Sequence, residues 1–146
     1  MKKSMFLAVA IGILSTTQAF AERWECTIIQ TSNSGWIPTA VVVQKVGSKY
    51  LAADGIVLYS TGKPIKAKRK ENNKRILFTW GFTHRNGVGQ TARLNYKLSI
   101  TKSNSKADMR MQPLDFAGNY RGSGSCKETP VDPNFERSIK RAIENG

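Results

Sequence analysis

Residues 75–101 read RILFTWGFTHRNGVGQTARLNYKLSIT, and this stretch decides the fold class. Apolar side chains occupy every second position over residues 76–82 and again over residues 92–100, with Asn86-Gly87 between the two runs. Alternation with a period of two is typical of strands that bury one face and leave the other in water. Asn-Gly between two such runs indicates a hairpin. The stretch therefore predicts two antiparallel strands.

Similar short runs flank this hairpin, with turn signals about every ten residues, a spacing typical of barrels and sandwiches. Further strands are predicted at residues 23–30, 37–46, 49–53, 56–59, 65–70, 107–112 and 119–127. The runs around Asp54-Gly55 are interpreted as a tight hairpin or as one bulged strand. The pattern predicts an all-β domain over residues 22–130: a small antiparallel meander barrel, or a sandwich, of seven to eight strands.

The hydrophobic period changes near the C-terminus. Asp132 suits a helix N-cap, and Pro133 suits the first helical position. The apolar residues at helical spacing are Phe135, Ile139, Ala142 and Ile143. We expect a short amphipathic α-helix within residues 131–146 that packs on the barrel, because so short a helix depends on tertiary contacts. Binding of the basic side of this helix to a membrane surface is the alternative.

The first 21 residues have the three parts of a secretory signal peptide. Lys2 and Lys3 precede an apolar run over residues 5–14, and Ala19-Phe20-Ala21 supplies the small residues of a cleavage site. The apolar run is about half the length that a membrane-spanning helix requires, about 20 residues. We expect cleavage after Ala21 and a periplasmic or secreted protein.

Cys26 and Cys126 are the two cysteines of the chain. In an exported protein such a pair predicts a disulfide. Because the bridge requires Cα atoms within about 7 Å, the first and last strands must lie close together. Closure of the meander into a barrel satisfies this requirement, and bonding between the two sheets of a sandwich is the competing geometry.

The chain is strongly basic, with 23 Lys and Arg against 10 Asp and Glu and a formal net charge of +13. Such a charge favours anionic partners. The densest group of cations surrounds the turn after the run at residues 65–70, and it comprises Lys66, Lys68, Lys70, Lys74 and Arg75. We expect a non-enzymatic protein that uses this group to bind an anionic envelope component or an acidic protein. Protection of a sheet edge by the same lysines is the alternative. Intracellular nucleic acid is not an expected partner of an exported chain.

The sequence predicts no catalytic residue, metal site or cofactor. His84 is the single histidine, beside a turn and without the partners that a metal site or a catalytic site needs. Ser123 and Ser125 lie in a strand and do not form a Gly-x-Ser-x-Gly elbow. A carrier of a small apolar ligand is an alternative function, because a small barrel can hold one ligand. The residues that would line or fill its interior are Phe78, Trp80, Phe82, Leu94, Tyr96, Met109 and Met111.

Residues 47–63 carry a short resemblance to a known family. Gly47-Ser48-Lys49-Tyr50, Asp54-Gly55 and the stretch from Tyr59 to Lys63 resemble the loop region of periplasmic inhibitors of C-type lysozyme. This family comprises small disulfide-linked β-barrels, so the resemblance implies a barrel that inhibits a lysozyme. Thr61-Gly62-Lys63 departs from the family order Thr-Lys-Gly, and a basic inhibitor would repel a basic lysozyme.

Overall fold

The computed structural model describes residues 22–145, which form a closed barrel of eight antiparallel strands in simple sequence order. The strands are β1 (Arg23–Gln30), β2 (Ala40–Val46), β3 (Lys49–Asp54), β4 (Ile65–Glu71), β5 (Arg75–Arg85), β6 (Thr91–Thr101), β7 (Lys106–Pro113) and β8 (Tyr120–Glu128). The predicted all-β meander is confirmed, and it closes as a barrel. The predicted signal peptide, residues 1–21, lies outside the described residues.

The barrel closes where β8 pairs with β1. Cys26 lies directly opposite Cys126 in this pairing, their Cα atoms are 4.0 Å apart, and they form a disulfide. The predicted bridge and the predicted meeting of the first and last strands are therefore confirmed. The bridge spans 100 residues of sequence, and in the chain-entropy account a loop of this size adds about 4.7 kcal/mol of stability.

The same seam requires a glycine. Gly124 faces Ile28 across the β1–β8 pair, and a Cβ atom on it would lie 1.8 Å from the carbonyl oxygen of Thr27. Backbone of the neighbouring strand, rather than a movable side chain, occupies that space. Gly124 therefore allows β8 to approach β1 closely enough to complete the barrel.

Aromatic and aliphatic side chains fill the barrel interior. The rings of Trp24 and Phe78 have centroids 5.1 Å apart, and Tyr96 stacks between Trp80 at 5.8 Å and Phe82 at 5.7 Å. Leu94, Leu98, Met109 and Met111 are fully buried around them. These residues form the packed middle of the barrel, while the inward-facing Trp24, Tyr50, Ile76 and Ile100 line a cavity of about 540 Å³ at one mouth.

The prediction of a strand over residues 56–59 is wrong, because residues Gly55–Thr61 form a short helix, α1. Asp54 caps its start: Oδ1 accepts hydrogen bonds from the backbone N–H groups of Ile56 and Val57 at 2.8 and 2.9 Å. Gly62 ends it with a φ of 69° and donates its N–H to the carbonyl of Leu58. These two caps override the strand preference of the β-branched and aromatic residues between them.

The second helix, α2 (Phe135–Glu144), confirms the predicted C-terminal helix, and the first half of it packs on the outside of the barrel. Phe135 is buried against Leu51 and Ala53 of β3, with Ile139 partly buried beside it. The other two residues of the predicted stripe, Ala142 and Ile143, are exposed. The N-cap is Asn134 and not the predicted Asp132, whose carboxylate instead accepts the N–H of Asn134.

Gln44 fixes the chain that leads into α2. This outward-facing β2 residue is 1% exposed, and its side-chain amide bonds both backbone groups of Asp132 at 2.7 and 3.0 Å. Arg23 donates to the same amide oxygen at 2.7 Å, and its guanidinium lies over the ring of Phe135. The C-terminal segment is therefore held by paired hydrogen bonds as well as by apolar contact.

Candidate anion-binding face

Strand β4 turns three of the predicted partner-binding residues outward. Lys66, Lys68 and Lys70 are exposed at alternate positions, whereas Ala67 between them is buried. The other two predicted residues lie beyond the strand, at the β4–β5 turn, where the side-chain oxygen of Asn72 accepts both of their backbone N–H groups at 2.9 Å. These two residues are Lys74 and Arg75. The five predicted cations therefore occupy one strand and its turn.

Arg69 does not belong to this exposed group. Its guanidinium lies 5.7 Å from the ring centroid of Trp24 and 5.5 Å from that of Tyr50, at one mouth of the barrel. It also forms an ion pair with Glu71 at 2.6 Å. The positive charge of Arg69 is therefore neutralised by contacts within the protein and is not exposed with the other cations of β4.

Strand register brings further cations beside β4. Lys68 pairs with Thr79 of β5, Thr79 with Lys97 of β6, Lys97 with Arg110 of β7, and Arg110 with Arg121 of β8. Adjacent strands are about 4.8 Å apart, so this row crosses about 19 Å of the barrel surface. Like charges directly opposite one another destabilise a sheet, and Lys97, Arg110 and Arg121 are opposed in this way on three successive strands.

We call the outward-facing residues of β4–β8 the basic face. Its cations are Lys66, Lys68, Lys70, Arg75, Arg85, Arg93, Lys97, Lys106, Arg110, Arg121 and Lys127. Asp108 is the single acidic side chain that these five strands turn outward in the described chain. Among the ion pairs formed within residues 22–145, none involves Lys97, Arg110 or Arg121. The row therefore forms no ion pair within the described residues, and Asp108, two positions before Arg110 on β7, is the one outward acid beside it.

A surface cleft of about 660 Å³ lies beside this row. Two predicted residues, Lys70 and Arg75, line it together with Lys97 and Arg110. Glu71 also borders the cleft, but its carboxylate binds Lys102 and Arg69, and these cations lower its pKa below the usual value. The cleft thus presents cations from three further strands to a ligand at the end of β4.

The predicted group missed Lys97, Arg110 and Arg121, which form the centre of the basic face. The signal for them was present in the sequence, because each occupies the polar phase of an alternating strand. Their alignment into one row depends on the register of four strand pairs, which alternation alone does not determine. The prediction consequently found cations close together in sequence and not those brought together across the sheet.

His84 belongs to a different region, at the barrel end that carries α1. Its Nδ1 lies 2.8 Å from Ser60 Oγ, and its ring meets that of Trp36 edge-on at 5.6 Å. Trp36, Tyr59 and His84 line a shallow cavity of about 500 Å³. Among the described residues no group of three or more His, Cys, Asp or Glu side chains could hold a metal ion.

Asp54 is an acid that the barrel buries. Its side chain is 4% exposed, and its Oδ2 atom has no hydrogen-bond partner. Burial raises its pKa to about 6, although the two α1 amides that it accepts act in the opposite direction. Burial and the nearby charge of Asp54 also raise the pKa of Tyr96, whose hydroxyl donates to the carbonyl of Trp36. Beneath α1 the folded barrel therefore buries a carboxyl group whose ionised form is unfavourable.

The chain matches no family model, no curated protein and no solved structure. The residues 47–63 that resemble lysozyme inhibitors form a turn, β3, α1 and the cap that ends α1. Neither α1 nor α2 is long and apolar enough to cross a membrane. The basic face is consequently interpreted from its own geometry and charge.

Proposed function

We propose that this protein is an exported, non-enzymatic binding protein that holds an anionic polymer of the cell envelope against its basic face. The observation that carries the proposal is the row formed by Lys97, Arg110 and Arg121, which face one another across neighbouring strands. Side chains of one sign at this spacing repel one another in the free protein. A bound polyanion would remove that repulsion.

A repeating anion fits this surface better than a single small ligand does. The row crosses five strands, and Lys70 and Arg75 extend it around the adjacent cleft. Phosphates or carboxylates spaced along a flexible chain can contact several of these cations together, and each contact adds electrostatic attraction. The disulfide supports an oxidising compartment, where envelope polymers are found.

The charge reversal Lys97→Glu with Arg110→Glu tests this proposal. Both side chains are outward-facing strand residues, so the fold should persist. Long-chain polyphosphate serves as the probe, with its dissociation constant measured by calorimetry at about 0.1 M NaCl, where the Debye length is about 10 Å. We expect binding to weaken about tenfold or more, since a loss of about 1.4 kcal/mol suffices for that factor.

The double variant Arg137→Glu with Arg141→Glu is the matched control. Arg137 and Arg141 are exposed cations of α2, which packs on β2 and β3 and not on the basic face. This variant changes the net charge by the same amount without altering the basic face, so we expect a loss smaller than threefold, which general screening explains. Equal losses in the two variants would show that net charge alone attracts the polymer. A pull-down from envelope extract that yields an acidic protein and no polymer would replace the polymer with that protein.

A further inference from the structure

Most of the exposed large apolar side chains lie at one end of the barrel. In a simple meander, the β1–β2, β3–β4, β5–β6 and β7–β8 connections emerge at the same end, which we call the α1 end. Within residues 22–145, five of the seven exposed large apolar residues lie there: Ile29, Tyr59, Val88, Leu114 and Phe116. The remaining two, Val131 and Ile143, belong to the C-terminal segment. Apolar exposure is thus concentrated on the connections of one end.

The exposure is substantial at the tips of these connections. Val88 in the β5–β6 turn is 82% exposed, Tyr59 on α1 is 75% exposed, and Leu114 in the β7–β8 loop is 56% exposed. Single exposed apolar residues are ordinary, but a group of them at one place indicates an interaction site. Trp36 of the β1–β2 loop adds a partly buried indole beside His84.

The charges around these tips share one sign. The cations of the α1 end are Lys63, Lys66, Arg85, Arg93 and Arg121. In the described parts of these connections and strand ends, the acids are Asp54, which is buried, and Asp115, which pairs with Arg93 at 2.7 Å. The end therefore combines protruding apolar tips with a positively charged rim and has no free acid among its described residues.

We propose that the α1 end docks onto an anionic lipid bilayer. Val88, Leu114 and Phe116 enter the headgroup region, while Arg85, Lys63 and their neighbours contact lipid phosphates. Apolar side chains backed by cations are the combination that binds charged interfaces. Aromatic rings such as that of Tyr59 favour the same depth. A second copy of the chain is a poor occupant, because two such ends would bring like charges together.

The exposed apolar residues of the α1 end do not belong to the basic face. The two surfaces share Lys66, Arg85, Arg93 and Arg121 at the rim, so charge variants would affect both. Removal of apolar tips leaves all eleven outward-facing cations of the basic face in place. The triple variant Val88→Ser, Leu114→Ser, Phe116→Ser therefore separates bilayer docking from polymer binding.

The test compares vesicles of phosphatidylcholine alone with vesicles made of phosphatidylcholine and phosphatidylglycerol in equal parts. The protein is purified from the periplasm of a bacterial host with its disulfide formed, and sedimentation gives the bound fraction. We expect binding to the anionic vesicles alone, and about a tenfold lower partition coefficient for the triple variant, because three apolar side chains are lost from the interface. Its affinity for polyphosphate should stay within twofold of wild type.

Val131→Ser with Ile143→Ser is the control, since it removes exposed apolar side chains from the C-terminal segment. We expect this variant to bind anionic vesicles as the wild type does. A Phe116→Trp variant gives a second readout: brominated acyl chains should quench its added fluorescence when anionic vesicles are present.

Three results would overturn the proposal. The first is that wild-type protein binds polyphosphate but does not bind anionic vesicles, a result that would leave the proposed function intact. The triple variant could bind vesicles as well as wild type, which would assign the attraction to the basic face alone. Wild type could also self-associate in the ultracentrifuge through a contact that the triple variant loses, which would make a second copy the occupant.

Discussion

The outward-facing residues of the barrel differ between its two sides: α2 covers those of β2 and β3, whereas those of β4–β8 stay open. On β2 and β3 these residues include Val42, Leu51 and Ala53, and α2 covers them with Phe135. On β4–β8 the outward residues are mostly polar or cationic, with Leu77 as an apolar exception, and no described helix lies over them. The covered side stabilises the molecule. The open side keeps like charges opposed, a cost without a benefit inside the molecule.

This difference separates residues that serve folding from residues that are available to a partner. Changes on the covered side should reduce stability and leave the cations unaffected. Changes on the basic face should reduce anion binding and leave the fold unchanged or slightly more stable. Four substitutions test this division, beginning with the seam on which both sides depend.

Gly124→Ala should have the largest effect. The added Cβ would overlap the Thr27 carbonyl oxygen on the neighbouring strand, so β1 and β8 must separate. We expect a loss of about 3 kcal/mol or more, at the upper end of the cost of overpacking. Chemical denaturation measures it. Gly55→Ala is the control, because a Cβ there has no atom within 4 Å; comparable losses in both variants would contradict the close approach at the seam.

Phe135→Ala tests the covered side. This ring is 3% exposed and holds α2 against Leu51 and Ala53. Truncation of a buried phenylalanine costs about 3 kcal/mol or more, and we expect denaturation to report a loss of that size with unchanged polyphosphate affinity. Ile143→Ala, on the exposed part of the same helix, should lose less than about 0.5 kcal/mol. If Phe135→Ala weakens polymer binding at a temperature where it is fully folded, the division between the two sides fails.

Asp54→Asn tests the buried charge beneath α1. The folded pKa of about 6 lies above the ordinary value of 3.8, so the native state binds more protons than the unfolded state between these values. Stability should therefore fall as the pH rises from about 4 to about 6 and contribute no further change above that. The full shift corresponds to about 3 kcal/mol, an upper limit to the pH-dependent loss.

Asparagine retains an oxygen for the α1 cap and carries no charge. Denaturation curves of Asp54→Asn should therefore lack this decline with pH, and the variant should be at least as stable as wild type at pH 7. An identical pH dependence in both proteins would show that the Asp54 carboxylate is solvated or paired in solution.

Arg110→Thr should have the smallest effect on stability, and its sign is informative. Arg110 lies between Lys97 and Arg121, so a neutral β-branched residue relieves two like-charge contacts. We expect a gain of about 0.5 kcal/mol, measured as a higher denaturation midpoint at low salt. High salt should reduce the gain because it screens exposed charges. A clear loss of stability would mean that the guanidinium packs on the sheet and contributes to folding.

The sequence predicted those features that depend on local alternation or on the cysteine pair. The all-β meander and the disulfide follow from period-two runs and from the cysteine pair, and the constraint that Cys26 and Cys126 must meet favoured closure while a sandwich stayed open. Helix α1 was missed because Asp54, which caps its start, was interpreted as a turn residue beside a strand, and Gly62 was not recognised as the residue that ends it. A capping pair with seven residues between its members competes with strand propensity, and composition does not decide between them.

Turn details and the centre of the basic face also escaped prediction. The β5–β6 hairpin was correctly placed, but residues 86–90 form a longer turn in which Gly89, and not Gly87, has the positive φ. The central row of cations required the register of four strand pairs. Register depends on turn length and packing together, so each residue was visible in the sequence while their alignment was not.

The most direct test of the division between the two sides is the polyphosphate affinity of Lys97→Thr with Arg110→Thr beside that of wild type, both measured fully folded. The account predicts that the variant binds about tenfold more weakly, which corresponds to about 1.4 kcal/mol, while its denaturation midpoint is unchanged or higher. Equal affinity with an unchanged midpoint would contradict the account, because the opposed cations would then serve neither folding nor binding.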